Sequence, residues 1–275
     1  MDAQLSQSPE PDVAFDAAVA AALAAGRLLM DRFGHESGTR RDGLADMSTD
    51  VERAADDAIV AILREAAPGH GFLTEERSPV PSGDGARWIV DPLDGTVNFA
   101  HGVPYFAVSI ALEVDGQLRL GVIFDPVRAD LYVAREHGGA SLNGHAIHVS
   151  ATESLSEAFL STGFPADVWS SGTNVAPVAR LVRHALGLRS MGAAALDLAG
   201  VAAGRFDLHW EAGLRPWDVA AAALLVREAG GIATDYSGRD GGIFSGEIVA
   251  GNRAIHAQVT EQLRAVMDTP PEGST

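Results

Sequence analysis

The sequence predicts a mixed α/β fold built in two halves. Residues 1–150 contain two Ala-rich helical stretches followed by apolar, strand-like stretches separated by turn residues. After about residue 150, helical and strand-like stretches alternate, which favours a second sheet with helices on both of its faces. We therefore expect an N-terminal α+β half at residues 1–150 and a C-terminal α/β half at residues 151–275.

Two helices begin the N-terminal half. Ala14–Phe33 is rich in Ala and Leu with amphipathic spacing, and Gly34 is expected to end it. A polar loop follows. The second helix is predicted over Val51–Ala67, with Ser48 or Thr49 as its N-terminal cap and a Pro-Gly pair after its end.

Strands follow these helices. Phe72–Thr74 and Arg87–Val90 are short apolar stretches, and an acidic residue directly follows each of them. A hairpin is predicted to turn at Asp115–Gly116, and glycine-containing turns connect the antiparallel strands after it. The first half thus combines two helices with an antiparallel sheet.

Helices and strands alternate in the second half. Pro216–Glu228 is the clearest helix, because proline suits the first turn of a helix. The remaining predicted strands are Ala158–Thr162, Asp207–Trp210, Gly231–Asp235 and Glu247–Ala250, and the remaining helices are Val175–Leu186, one beginning near Gly192, and Ala254–Met267.

Composition excludes several classes of protein. The chain has 275 residues, a formal net charge of −17 and no cysteine, which rules out disulfides, thiolate catalysis and Cys-based zinc sites. The 37 acidic residues against 20 basic ones argue against a nucleic-acid surface. The first residues lack the basic and apolar segments of a signal peptide, and the apolar run Ala17–Gly26 is too short to span a bilayer. We expect a cytoplasmic protein with no membrane partner.

Carboxylates mark the ends of the predicted elements. Asp91 and Asp94 follow a buried strand within WIVDPLDGTVNF, Glu75 follows another strand, and Asp218 lies in the first turn of a helix. Like charges this close repel one another, and the repulsion grows where water is scarce. Four converging carboxylates would form an oxygen-ligand site for Mg²⁺, and Asp91 could bridge two ions. Taken singly, each acid could instead be a helix cap or a solvated loop residue.

Longer motifs around these acids resemble those of a known family. WIVDPLDGTVNFAHGVPYFAVSIAL (Trp88–Leu112), LRPWDVAAAALLVREAGG (Leu214–Gly231), FLTEE and IVAGN are similar to the signatures of the inositol monophosphatase family, most of all its bacterial branch. The resemblance implies a layered αβαβα sandwich of the inositol monophosphatase and fructose-1,6-bisphosphatase type. It also implies a homodimer, sensitivity to lithium, and two or three Mg²⁺ ions in each active site.

The resemblance assigns ligands to the ions. Glu75, Asp91 and the Leu93 carbonyl would hold the first ion, and Asp91, Asp94 and Asp218 would hold the second. A third, weaker ion would lie near Glu75.

Other positions would bind the phosphate ester. The backbone amides of Gly95 and Thr96 would bind the phosphate, and Glu211 would accept a hydrogen bond from a hydroxyl of the alcohol. The segment that would contact the ring of the alcohol consists of Gly192, Ala193 and Ala194.

The chain departs from the family pattern near its catalytic threonine, Thr96. The family pairs this threonine with an aspartate, whereas an ungapped alignment places Glu52 there and Asp50 two residues earlier. We expect Glu52 to be the partner; as an alternative, both acids would only complement the helix dipole. Arg41 stands where the family often has lysine and would shield charge near the metals, or be a solvated loop residue. Ala193 replaces a usual Thr or Ser, so a hydroxyl is missing on the substrate side.

These features predict a Mg²⁺-dependent phosphomonoesterase that uses metal-activated water. The expected substrate is myo-inositol 1-phosphate or a related polyol or sugar phosphate. Histidinol phosphate, fructose 1,6-bisphosphate, a nucleotide phosphate and a phosphorylated intermediate of a specialised pathway stay open, because the motifs specify the metals and the phosphate rather than the alcohol. A regulatory protein that contacts the transcription machinery is the alternative from another class.

Overall fold

A seven-stranded sheet forms the frame of the N-terminal half. The structure, a computed structural model, describes residues 11–34, 41–240 and 243–267. The strands lie in chain order: β1 (Gly71–Thr74), β2 (Ala86–Asp94), β3 (Ala107–Val114), β4 (Gln117–Asp125), β5 (Asp130–Arg135), β6 (Gly139–Leu142) and β7 (His145–Ala146). Only β1 and β2 pair in parallel; every later neighbour in this sheet is antiparallel.

A second sheet of five strands follows in the C-terminal half. Its order is β11-β12-β10-β8-β9, so the central strands are not neighbours in the sequence. The strands are β8 (Phe159–Thr162), β9 (Gly187–Arg189), β10 (Leu208–Ala212), β11 (Ile232–Thr234) and β12 (Glu247–Gly251).

Eight α-helices are found in the described part of the chain. They are α1 (Pro11–Arg32), α2 (Arg41–Ala66), α3 (Thr96–Ala100), α4 (Val168–Ser171), α5 (Val175–Leu181), α6 (Ala194–Ala202), α7 (Pro216–Glu228) and α8 (Arg253–Met267).

Alternating side chains divide the interior into three cores. On β2, Trp88 and Val90 face α1 and α2, while Ile89 faces α6 and α7, as the two-residue period of a strand requires. On β12, Ile248 joins the same middle core and Val249 packs towards α5 and α8. The layers therefore run α1/α2, first sheet, α6/α7, second sheet, α5/α8, which is the predicted αβαβα sandwich. The division of the chain near residue 150 stays a prediction.

Two N-terminal predictions were wrong in their boundaries. Helix α2 begins at Arg41 instead of Val51, so Ser48 and Thr49 lie inside the helix and do not precede it. No proline interrupts residues 41–50, and helix propensities are too small to stop a helix that packs well further on. Strand β2 continues through Asp94 instead of ending at Val90, with a register shift between Asp91 and Asp94.

Other boundaries agree more closely. The β3–β4 hairpin turns at Asp115 and Gly116, whose φ angles of 51° and 79° are those of a tight hairpin turn. Helix α7 spans the predicted residues, Pro216–Glu228. Helix α5 ends at Leu181 rather than at residue 186, and the short elements α3, α4 and β9 were not predicted.

Helix α1 is more apolar than the sequence analysis assumed. Residues 13–32 are long and apolar enough, by length and composition, to cross a membrane, which corrects the expectation that the apolar run is too short. A stripe of α1 that includes Ala18, Ala21 and Leu29 is buried in the core against α2 and the first sheet. Burial of this stripe accounts for the apolar composition of the helix without a bilayer.

Candidate active site

Strand pairing brings the first two acidic residues together. Because β1 and β2 are parallel and Thr74 is opposite Val90, Glu75 comes level with Asp91. The Glu75 backbone N–H donates to the Val90 carbonyl at 3.2 Å, which extends the ladder by one residue. A strand end and a bulge thus present two carboxylates at one edge of the sheet.

Backbone amides orient the two aspartates of β2. The Leu93 N–H donates to Asp91 Oδ1 at 2.9 Å, and the Ala195 N–H, in the first turn of α6, donates to Asp94 Oδ2 at 2.7 Å. Each carboxylate keeps its second oxygen for another partner. Such contacts are typical of metal-ligating carboxylates, whose orientation is fixed by an outer shell of hydrogen bonds.

Helix α7 supplies the fourth carboxylate. Pro216 begins the helix, and the Arg215 N–H donates to Asp218 Oδ2 at 2.7 Å. The position is favourable for an anion, because the helix dipole is positive at this end.

A cavity of about 230 Å³ lies where these elements meet. Six carboxylate side chains line it, and no Lys, Arg or His side chain does so within the described part of the chain. These acidic residues are Glu75, Asp91, Asp94, Asp197, Glu211 and Asp218. All four predicted carboxylate ligands therefore reach one cavity, and Leu93 lines it as well.

Burial and mutual repulsion change the proton affinities of these groups. Burial, with a contribution from Asp218, raises the pKa of Glu75 from 4.5 to about 7. Burial raises the pKa of Asp218 from 3.8 to about 6. The pKa values of Asp91 and Asp94 are raised well above 3.8, by burial first and by the neighbouring carboxylates second. The cluster therefore carries an electrostatic strain that a cation would relieve.

The donor set fits a hard divalent cation. Every group named as a ligand offers oxygen, which suits Mg²⁺ better than a soft metal. As the side chains stand, no group of three or more His, Asp or Glu residues in the described ranges is already arranged around one point to hold an ion. The cluster thus matches Mg²⁺ in the chemistry of its ligands.

A short hydrogen bond joins α2 to the first residue of α3. Thr96 Oγ1 donates to Glu52 Oε1 at 2.6 Å and lies 3.2 Å from the Leu93 carbonyl oxygen. Glu52 is 7% exposed, and burial raises its pKa. Asp50 is exposed on the same helix, whereas Arg41 is the first residue of α2 and its side chain lies outside the described residues.

Small residues form part of the cavity wall. Gly192, Ala193 and Ala194 line it together with Gly95 and Thr96. Gly95 has a φ of 94°, and a Cβ there would lie 3.1 Å from the Ala193 Cβ, so both the backbone and the space require glycine.

The sequence analysis missed a polar network behind Glu211. His209 Nε2 lies 3.2 Å from Glu211 Oε2, and the Tyr105 hydroxyl donates to Asp197 Oδ1 at 2.7 Å. The sequence carried one signal for it: His209 and Glu211 are two residues apart, so they share a face if the strand includes both. The predicted strand ended at Trp210, whereas β10 continues to Ala212.

Comparisons with known proteins identify similar sequences and a similar overall fold. The chain matches the model of the inositol monophosphatase family over residues 10–268. It is 46% identical to the Nus factor SuhB of Pseudomonas aeruginosa over 246 residues, which cover 86% of this chain and 90% of that protein. It is 42% identical to the inositol-1-monophosphatase of Mesorhizobium japonicum over 250 residues, which cover 90% of this chain and 94% of that protein. The solved inositol monophosphatase of Anabaena superposes with a TM-score of 0.83 at 39% identity, covering 94% of this chain and 96% of that one.

Proposed function

Because this chain belongs to the inositol monophosphatase family and is a phosphoric monoester hydrolase, we propose that it hydrolyses myo-inositol 1-phosphate or a related polyol or sugar phosphate with Mg²⁺. The family is generally metal-dependent. The observation that carries the proposal is the cavity, which six carboxylates line and, among the described residues, no basic side chain does; it needs cations before it can accept a phosphate.

We assign the proposed ligands to separate ions as the family pattern suggests. Glu75, Asp91 and the Leu93 carbonyl would hold one ion, and Asp91, Asp94 and Asp218 a second, while a third would lie near Glu75. When bound, Mg²⁺ neutralises the phosphoryl group and lowers the pKa of the attacking water.

The remaining groups would position the reactants. Glu52 holds the Thr96 hydroxyl proton at its Oε1, which leaves the Thr96 oxygen able to accept a hydrogen bond from water. The amides of Gly95 and Thr96 would hold the phosphate. Glu211 and the Gly192–Ala194 wall would face the alcohol.

A panel of phosphate esters tests the proposed substrate class. Phosphate release is measured with myo-inositol 1-phosphate, fructose 1,6-bisphosphate, histidinol phosphate and a nucleoside monophosphate. We expect the highest kcat/KM with the inositol ester, and inhibition by lithium. A hundredfold preference for any of the other esters would contradict the substrate assignment while leaving the reaction intact.

The proposal includes a cytoplasmic homodimer. Family resemblance and the large exposed apolar side chains of Phe164 and Trp169, which are 39% and 86% exposed, support association of two copies. Light scattering of the purified protein tests it, with twice the monomer mass of 28.6 kDa as the expected result.

A transcription-related role is a second candidate. It is favoured by the 46% identity to a relative that carries the name Nus factor. Binding of the purified chain to RNA polymerase from its own organism tests the role. The Asp91→Asn variant should still bind, because catalysis and association would use different surfaces.

A further inference from the structure

A buried histidine lies directly behind the acidic residue that faces the alcohol. His209 is 0% exposed on β10, and both of its ring nitrogens have polar neighbours. Nε2 lies 3.2 Å from Glu211 Oε2, while Nδ1 lies 3.0 Å from Ser161 Oγ and 3.8 Å from Asp197 Oδ2. The histidine therefore contacts Glu211 on one side and the core of the second sheet on the other.

The chemistry of these neighbours fixes the direction of the hydrogen bonds. A carboxylate only accepts, so Nε2 of His209 must carry the proton that is shared with Glu211. In the neutral ring Nδ1 then accepts, and the Ser161 hydroxyl is its donor. Glu211 thus selects this tautomer, and the Ser161 hydroxyl, which can donate or accept, adapts to it.

The backbone of Gly163 lies on the other side of the Glu211 carboxylate. A Cβ on Gly163 would collide with the Glu211 carboxylate, so the carboxylate occupies the space that a side chain at residue 163 would need. This backbone is itself held, because Asn174 Nδ2 donates to the Gly163 carbonyl at 2.6 Å and Trp210 Nε1 donates to Asn174 Oδ1 at 2.7 Å. Glu211 is therefore confined between a donor and a fixed backbone.

We propose that His209 is a positioning residue that holds Glu211 Oε2, so that Oε1 faces the cavity and selects phosphate esters whose alcohol carries a further hydroxyl group. The inference rests on the proposed function and deepens it. A fixed carboxylate loses less conformational entropy on binding a hydroxyl than a mobile one, so its hydrogen bond contributes more to affinity.

The test compares two esters in the His209→Phe variant. Phenylalanine keeps the ring volume and removes the donor. We expect the KM for myo-inositol 1-phosphate to rise about tenfold relative to the KM for 4-nitrophenyl phosphate, which has no further hydroxyl; this is the size of one lost charge-assisted hydrogen bond. His209→Gln, which can place an amide N–H near Glu211, should recover part of the difference.

A matched control separates positioning from stability. His256 is also buried, at 6% exposed, and its Nε2 lies 2.8 Å from Thr234 Oγ1, away from the cavity. His256→Phe should lower the melting temperature, as His209→Phe does, but leave the KM ratio of the two esters as in the wild type. A matching change of ratio in both variants would overturn the inference.

Two further variants test whether His209 acts through Glu211. Gly163→Ala should displace the carboxylate and change the KM ratio in the same direction as His209→Phe. The double variant His209→Phe/Glu211→Gln should show no larger change of ratio than Glu211→Gln alone, because both substitutions remove the same contact. Additive effects would overturn the inference.

The activity of the wild-type enzyme distinguishes a failure of the inference about His209 from a failure of the proposed function. If it hydrolyses the inositol ester but His209→Phe keeps the wild-type KM ratio, the inference about His209 is wrong and the proposed function stands. If the wild type releases phosphate from neither ester with Mg²⁺ present, the proposed function is wrong and the inference falls with it.

Discussion

The Thr96 hydroxyl donates its proton to Glu52 Oε1 at 2.6 Å, although the Leu93 carbonyl oxygen also lies 3.2 Å away. A hydroxyl has one proton, so the shorter contact leaves the Leu93 carbonyl lone pairs free for a cation. It also leaves the Thr96 oxygen free to accept from water. One hydrogen bond thus prepares both a metal ligand and a water-binding group.

Removing the charge of Glu52 should therefore slow hydrolysis. Glu52→Gln keeps the shape but weakens the acceptor, and we expect kcat to fall about a hundredfold, as for loss of a general base. Mg²⁺ affinity should change little, because Glu52 is not among the proposed ligands. Steady-state kinetics over a range of Mg²⁺ concentrations measures both quantities.

Asp50→Asn is the matched control for Glu52→Gln. Asp50 is exposed on α2, so its substitution should change kcat by less than about threefold. A large loss in Asp50→Asn together with a small one in Glu52→Gln would show that the aspartate is the functional partner of Thr96.

Asp91 should be the most sensitive acidic residue in the cavity. Asp91→Asn removes a charge shared by two proposed ions, and we expect kcat/KM to fall about a thousandfold or more. Asp16→Asn, on the exposed side of α1, makes the same chemical change away from the cavity and should have no effect. Near-normal turnover by Asp91→Asn would be incompatible with the assigned ligands.

The metal-free protein should lose stability as the pH rises. Glu75 and Asp218 have folded-state pKa values raised to about 7 and about 6, mainly by burial. Between about pH 4 and pH 7 the folded state binds more protons than the unfolded state, so the free energy of unfolding decreases with increasing pH. Thermal unfolding in chelator should give a lower melting temperature at pH 8 than at pH 5.

Mg²⁺ should restore the stability that the metal-free protein loses as the pH rises. The increase in melting temperature should be larger at pH 8 than at pH 5, because only ionised carboxylates bind Mg²⁺ well. In Asp91→Asn the pH dependence without metal should be flatter than in the wild type. A melting temperature that is independent of pH and of Mg²⁺ would contradict the electrostatic account of the cavity.

Glu211 should determine substrate preference. Glu211→Gln should raise the KM for myo-inositol 1-phosphate about tenfold or more relative to the KM for an aryl phosphate, because only the inositol ester offers a hydroxyl that the carboxylate can accept from. Equal changes with the two esters would instead place Glu211 in the catalytic machinery. The missing hydroxyl at Ala193 predicts a broader substrate range than that of relatives with threonine there.

Local signals account for the parts of the fold that the sequence predicted. Proline at the start of α7 and an Asp-Gly pair in the β3–β4 hairpin identified those elements, because each residue type has a strong backbone preference. The start of α2 was misplaced, because Ser48 and Thr49 are typical capping residues, although no proline in residues 41–50 stops the helix before them.

Side chains from distant elements were harder to predict. Tyr105, Asp197 and His209 come from a loop, a helix and a strand, and only the packing of α6 between the two sheets brings them together. The contacts of Asp197 with Tyr105 and His209 therefore required the tertiary structure. The acidic residues were predictable, since each lies next to an element end that the sequence marks, and Asp91 and Asp94 also share one motif.

Phosphate release from myo-inositol 1-phosphate by chelator-treated enzyme, before and after adding Mg²⁺, is the most direct test of a carboxylate cluster that acts through bound cations. We expect no release in chelator, full activity on adding Mg²⁺, and no recovery for Asp91→Asn at the same Mg²⁺ concentration. Undiminished release by the wild type in chelator would contradict this expectation.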